Sequence, residues 1–139
     1  MVIGMSREEM DRVVNEHFGY EARDDVEGVL ASLADEVEHD IIPSRDGILD
    51  SKEEIRARYE SLFAAIKGES VKPLRRYYGD GFLVDESLWK GEVVDGSVFL
   101  CDGRSGPVCF RLLHVFELKD GRIARDGAAG DVLAAYEGR

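Results

Sequence analysis

Histidine occurs only three times in the 139 residues, at His17, His39 and His114. Imidazole gives or accepts a proton near neutral pH, so histidines gathered in one cavity suit general acid–base work. What makes these three a set is the apolar company each keeps. His17 ends the series Met10, Val13, Val14, His17, which recurs at i, i+3, i+4 and i+7 and marks one face of a helix. His39 shares a strand face with Val37 and Ile41, and His114 shares one with Phe110, Leu112, Phe116 and Leu118. All three are therefore expected to point inward, toward a common small-molecule cavity. One such histidine alone reads as a core residue satisfied by a single hydrogen bond; three in one space argue for more.

Carboxylates and cations offer further candidates. Asp40 adjoins His39 but is expected on the opposite strand face, while Asp126 and Asp131 lie on or after the final strand, within reach of a cavity mouth. Three imidazoles plus water can bind catalytic zinc, yet no local spacing requires it, and neither a cofactor nor a metal is expected. Arg75, Arg76 and Arg111 are candidates for an anionic substrate group, against the simpler reading as sheet-face salt bridges among 29 acidic residues. Trp89, Tyr59, Tyr77 and Tyr78 read as core or interface residues. The chain has no Gly-rich phosphate loop, no nucleophile elbow (Gly103-Arg104-Ser105-Gly106 has the wrong spacing) and no His-Glu-x-x-His helix.

The elements that must position these groups can be read in order. Ser6 and Glu9 make a capping box for a first helix ending near Gly19, and a second helix from Asp24–Asp25 to about Asp35 carries Val26, Val29, Leu30 and Leu33 on one face. Val37–Ile41 alternates as a strand, Pro43–Asp50 reads as a loop, and Ser51–Glu54 caps a third helix running to about Lys67. Beyond it, apolar runs separated by Gly79-Asp80-Gly81, Asp95-Gly96, Asp102-Gly103 and Asp120-Gly121 predict four or five antiparallel strands. The clearest is Val108–Leu118, apolar on both faces, which implies helices on one side and a second subunit on the other. A short helix, Asp131–Tyr136, closes the chain. The expectation is a single α+β domain spanning 1–139: a cone-shaped, strongly curved, mostly antiparallel sheet with three helices from the N-terminal half packed on its concave face.

Composition narrows the partners. A formal charge of -11 repels phosphate backbones and anionic membrane faces, so neither nucleic acid nor a membrane is expected as partner. No apolar run approaches a membrane span, and Met1–Met5 lacks the form of a secretion signal, so the expected location is cytoplasmic. Cys101 and Cys109 have no metal or redox spacing and read as free thiols.

Several stretches resemble a known family. Asp25–Leu30, Leu33–Asp40, Ile55–Tyr59 and Phe110–Ile123, the last ending Lys119-Asp120-Gly121-Arg122-Ile123, are similar to the SnoaL-like branch of the nuclear-transport-factor-2-like superfamily, a resemblance running from about Met10 to Tyr136. That superfamily includes ketosteroid isomerases, polyketide cyclases, scytalone dehydratase, limonene epoxide hydrolase and non-catalytic dimerising modules on one fold. The resemblance implies that His17 falls where ketosteroid isomerases keep an oxyanion-hole tyrosine, and His114 where they keep a protonated aspartate. The first-strand catalytic base matches His39 or Asp40, strand phase favouring His39. SnoaL-like cyclases place a histidine and an acidic residue in the pocket, for which His114 with Asp126 are the nearest candidates here. The expected function is an isomerase, cyclase or dehydratase moving a proton beside the carbonyl of a small apolar molecule, in a homodimer joined through the outer sheet face. The alternative is a ligand-binding or dimerising module without catalysis. Epoxide hydrolysis would need an Asp-Arg-Asp constellation that the expected inward positions do not supply.

Overall fold

In a computed structural model the described residues are 4–136, so the ends of the expected 1–139 domain, residues 1–3 and 137–139, lie outside them. Three helices come early: α1 (Arg7–Ala22), α2 (Val26–Ala31) and α3 (Lys52–Ala65). Each has an oxygen at its N-cap that takes up an orphan backbone N–H. Ser6 accepts from Glu9, Asp25 from Gly28 and Ser51 from Glu54. The strands are β1 (Leu33–Ile42), β2 (Ile48–Leu49), β3 (Ile66–Gly79), β4 (Phe82–Val93), β5 (Gly106–Lys119) and β6 (Arg122–Gly130), and α4 (Val132–Tyr136) ends the described chain.

The six strands form one curled sheet in the order β2-β1-β6-β5-β4-β3. Among the described residues only β1 and β6 run parallel; every other neighbouring pair is antiparallel. The second half supplies four strands, as the turn signals predicted. Asp120 and Gly121 both have positive φ, 52° and 80°, matching the twist of a two-residue hairpin between β5 and β6. The helices pack on the concave face, where Met10, Val14, Leu30, Ile55, Leu83 and Phe116 belong to one buried cluster. Trp89, Val93, Phe99, Val108, Phe110 and Val132 form a second cluster toward the other end of the sheet.

Two boundaries differ from the expectation. α1 continues to Ala22, past Gly19, because its last turn packs toward the site described below. The second helix stops at Ala31 rather than near Asp35. Its C-cap Ser32 accepts the Ile123 N–H through its backbone oxygen, and the buried Leu33 already pairs with Ile123 on β6. Sheet pairing thus takes residues that helical spacing alone assigned to α2. The outer face of β5 is also not buried within one chain: Leu113 and Val115 are exposed there. Cys101 is buried and Cys109 exposed. No helix among the described residues is long and apolar enough to cross a membrane.

Candidate functional site

The parallel pairing of β1 with β6 sets His39 beside Asp126, and both side chains turn to the concave face. His17 descends onto them from α1 and Tyr59 from α3. The result is a buried polar knot in an otherwise apolar interior: His17, His39, Asp126 and Tyr59 are each 0–1% exposed. Asp126 Oδ2 lies 3.3 Å from His17 Nε2 and 3.7 Å from His39 Nε2. It also accepts the Tyr59 hydroxyl at 3.0 Å. The same hydroxyl lies 3.1 Å from Glu21 Oε2, and that carboxyl sits 3.7 Å from His17 Nε2, one turn along α1.

Counting hydrogens assigns the charges. Ser32 Oγ is 2.5 Å from the Val29 carbonyl and gives it its only hydrogen, so it must accept from His17 Nδ1 at 2.8 Å. Nδ1 therefore carries a proton, and Nε2, facing two carboxyls, is held protonated as well. Burial alone would lower the His17 pKa, but Glu21 and Asp126 outweigh it and raise it. Burial would likewise raise the Asp126 pKa, yet His17 above all, with His39 and His114, drives it well below the usual carboxylate range. A buried imidazolium–carboxylate pair results.

Tyr59 has one hydrogen and two carboxyls within reach, so it can serve both only if one brings a proton of its own. That one is Glu21. Burial and the Asp126 charge raise its pKa, against opposing effects of His17 and Tyr59, to about 7. Near neutrality Glu21 therefore toggles between acid and carboxylate at the end of the chain Glu21–Tyr59–Asp126–His17–Ser32. His39 stays neutral, its pKa lowered first by burial and then by the nearby Arg58 and His17 charges.

Against this knot lies a cavity of about 730 Å³, roomy enough for a small-molecule ligand. Leu62, Phe63, Ile66, Trp89, Phe99 and Phe110 give it apolar walls, while Glu21, Asp85, Ser87 and His114 supply polar groups. His114 stacks on Phe116 with ring centroids 5.2 Å apart, and Phe18 meets its ring at 5.0 Å. Burial lowers its pKa to about 4, so the ring is neutral, and its Nδ1 has no hydrogen-bond partner among the described residues.

The structure brings the three histidines to one region of the interior but gives only His114 to the cavity wall. His17 and His39 are sealed behind Glu21 and Tyr59, contrary to the expectation that all three line the hollow. Asp126 is paired with His17 and His39 rather than with His114, because β5–β6 register sets Phe116, not His114, opposite Asp126. Asp40 faces the other side of β1, as strand phase predicted, where Arg125 Nη2 reaches it at 3.2 Å. Asp131 is exposed. Trp89, read from sequence as core or interface, lines the cavity. Arg76 is a salt-bridge residue, its Nε 3.0 Å from Asp85 and its Nη1 2.8 Å from Asp11. Arg111 pairs with Glu86 at 2.9 Å.

An Asp-Arg-Asp chain thus exists at the cavity edge, where none was expected. Asp11, however, is not among the lining residues. Slight burial would raise its pKa, but hydrogen bonds from Arg76 and Tyr78 lower it, leaving no proton to give an epoxide oxygen. Sequence reasoning missed Glu21 and Tyr59; the i, i+4 spacing of Glu21 from His17 was the available signal. Among the described residues, no group of three or more His, Cys, Asp or Glu is placed to hold a metal ion.

The comparisons agree with this architecture. A candidate isomerase from Bacillus subtilis superposes with a TM-score of 0.76 at 17% identity, over 95% of this chain and 95% of that one. A candidate polyketide cyclase from Xanthomonas campestris pv. campestris gives 0.74 at 16% identity, over 91% and 93%. An epoxide hydrolase of M. tuberculosis, described as LEH-like, gives 0.69 at 20% identity, over 94% and 88%. At such identities the likeness shows the fold alone. No curated protein sequence matches. The family model of the SnoaL-like domain, in contrast, matches residues 14–126, which include every member of the polar knot, and the chain belongs to that SnoaL-like family on the nuclear-transport-factor-2-like fold.

Proposed function

We propose that the chain is a small-molecule enzyme that moves a proton beside the carbonyl of an apolar substrate, with Glu21 as the group that carries it. One observation supports this above the others: a carboxyl at the cavity wall, wired through Tyr59 to a buried imidazolium–carboxylate pair and poised with a pKa of about 7. A general base is most effective when its pKa lies near the working pH. Glu21 takes a proton from the carbon next to the carbonyl, and the C–H electron pair moves into an enolate. The neutral His114 ring hydrogen-bonds the enolate oxygen. Returning the proton to another carbon completes an isomerisation; expulsion of a β-hydroxyl, which takes the proton held on Glu21 and leaves as water, gives a dehydration, and attack of the enolate on a second carbonyl, whose alkoxide takes that proton, gives a cyclisation. His17, Asp126 and Tyr59 act through Glu21, as positioning residues that set its proton state. His39, the base suggested by resemblance, sits behind Asp126, and Asp40 lies on the far strand face, so neither is given a role at the substrate.

Exchange of the acidic C–H protons of β-tetralone in deuterated buffer, followed by proton NMR, tests the reading. Catalysed exchange should rise with pH through about 7, as Glu21 ionises, and Glu21→Gln should lower it by about 100-fold or more, the scale of general-base catalysis. Exchange untouched in Glu21→Gln would remove Glu21 from the chemistry. Uncatalysed exchange by the wild type, with the ketone bound, would leave the ligand-binding alternative.

A further inference from the structure

Beside His114, which the proton-transfer reading already uses, the floor of the cavity holds two polar groups that it does not, Asp85 and Ser87. β4 turns Leu83, Asp85, Ser87 and Trp89 inward, and the β4–β5 register places Asp85 directly opposite His114 and Ser87 opposite Leu112. Asp85 is 5% exposed, Ser87 2% and His114 7%, so all three are more than nine-tenths buried, and all three line the cavity. Buried polar side chains are ordinarily hydrogen-bonded. Here the Ser87 hydroxyl makes no hydrogen bond among the described residues, and His114 Nδ1 has none. Asp85 has one oxygen, Oδ2, engaged by Arg76 Nε at 3.0 Å, while Oδ1 takes part in no hydrogen bond to a described residue.

The chemistry of this row is specific. An ionised carboxylate only accepts, so Asp85 Oδ1 asks for a donor. Ser87, two residues along the same strand face, can donate or accept beside it. Arg76 offers no charge to an anionic ligand, since it is already shared between Asp85 and Asp11. Lys67 lines the wall as well, but Glu21, Asp24, Glu69 and Asp85 outnumber the cations there, and with a net charge of -11 an anion is repelled. Most of the remaining wall is aromatic and aliphatic.

We propose that Asp85 and Ser87, next to His114, form a hydroxyl-recognition site, so that the cavity selects a neutral, apolar ring compound carrying an O–H donor. This deepens the proton-transfer reading and shares its cavity, with the hydroxyl held across the floor from the reacting carbon near Glu21. Calorimetric titration with β-naphthol and with methyl β-naphthyl ether, the same ring system without the donor, tests it. The wild type should bind the naphthol at least tenfold more tightly, about 1.4 kcal/mol. Asp85→Asn and Ser87→Ala should each shrink that preference while leaving affinity for the ether unchanged. Glu21→Gln should keep it. Equal affinity for the two compounds, or no binding of either, would overturn the proposal. A preference lost in Glu21→Gln but kept in Asp85→Asn would also overturn it, assigning the hydroxyl to Glu21 and leaving the proton-transfer reading intact. Persistence of the preference in Glu21→Gln, with β-tetralone exchange absent from the wild type, would sustain the recognition site while removing the reaction.

Discussion

At the scale of single residues, the cavity is built on opposed titrations. Burial drives His114 down to about 4 from an ordinary 6.5, so between those values the unfolded chain binds a proton that the folded one does not, and stability rises with pH. Glu21 works the other way: it is raised from 4.5 to about 7, so the folded chain holds a proton the unfolded one releases, and stability falls with rising pH across that window. The two slopes oppose one another up to pH 6.5, above which His114 is neutral in both states. His17, also raised, then falls in with Glu21: its contribution is complete below 6.5 and is lost as pH climbs through its folded value. His39, lowered from 6.5 as well, adds a second rising limb, so urea denaturation should show a wild-type stability that rises gently from 4.5 to 6.5 and declines above it, each proton contributing up to about 1.4 kcal/mol per pH unit. Glu21→Gln removes the one limb that falls in that window, so its stability should climb more steeply from 4.5 to 6.5 and decline less beyond. Parallel curves for the two proteins would mean that Glu21 titrates like an exposed carboxylate.

At the scale of elements, strand phase was legible in the sequence and helix length was not. Alternation alone placed His39 inward and Asp40 outward on β1, and His114 with Phe110 and Phe116 on the concave face of β5, because a period of two leaves no other option. The end of α1 was misread at Gly19, since glycine ends helices more often than it continues them. That reading cut Glu21 off from the turn that carries it to the cavity. Tyr59 looked like an ordinary aromatic at helical spacing; its hydroxyl gains meaning only from Asp126, 67 residues away. Pairings of that kind depend on strand register, which hydropathy does not specify. The β3–β4 ribbon shows how register is held. Its pairing shifts between Gly68 and Ser70, and a Cβ on Gly91 opposite would come within 2.4 Å of the Lys67 carbonyl oxygen on β3. That atom is backbone and cannot swing aside, so Gly91→Ala should destabilise by about 1–3 kcal/mol, the usual range for overpacking. A thermal midpoint equal to that of the wild type would show that the ribbon accommodates a methyl group there.

At the scale of the whole molecule, the concave face is spent on helices and cavity, and the convex face is left to explain. Across it the β3–β4–β5 pairing aligns Tyr77 with Val84 and Val84 with Val115, while Leu113 lies two residues from Val115 on β5. Tyr77, Leu113 and Val115 are 50%, 41% and 37% exposed. An apolar row across neighbouring strands, flanked by the Glu86–Arg111 pair, resembles the core and rim of a protein–protein contact more than a solvated sheet face. We propose that this face joins two copies of the chain, as the two apolar faces of Val108–Leu118 led us to expect. Each copy carries a charge of -11, so the two repel at long range while the apolar row attracts at contact. Salt screens the first effect and leaves the second, and dimerisation should strengthen from low to physiological ionic strength. Analytical ultracentrifugation should find a dimer in the wild type and a monomer in Leu113→Asp/Val115→Asp, which buries two carboxylates in the proposed contact. Both positions face away from the cavity, so the double variant should still bind β-naphthol with wild-type affinity. A monomeric wild type at all ionic strengths, or a double variant as dimeric as its parent, would leave the convex face without this role.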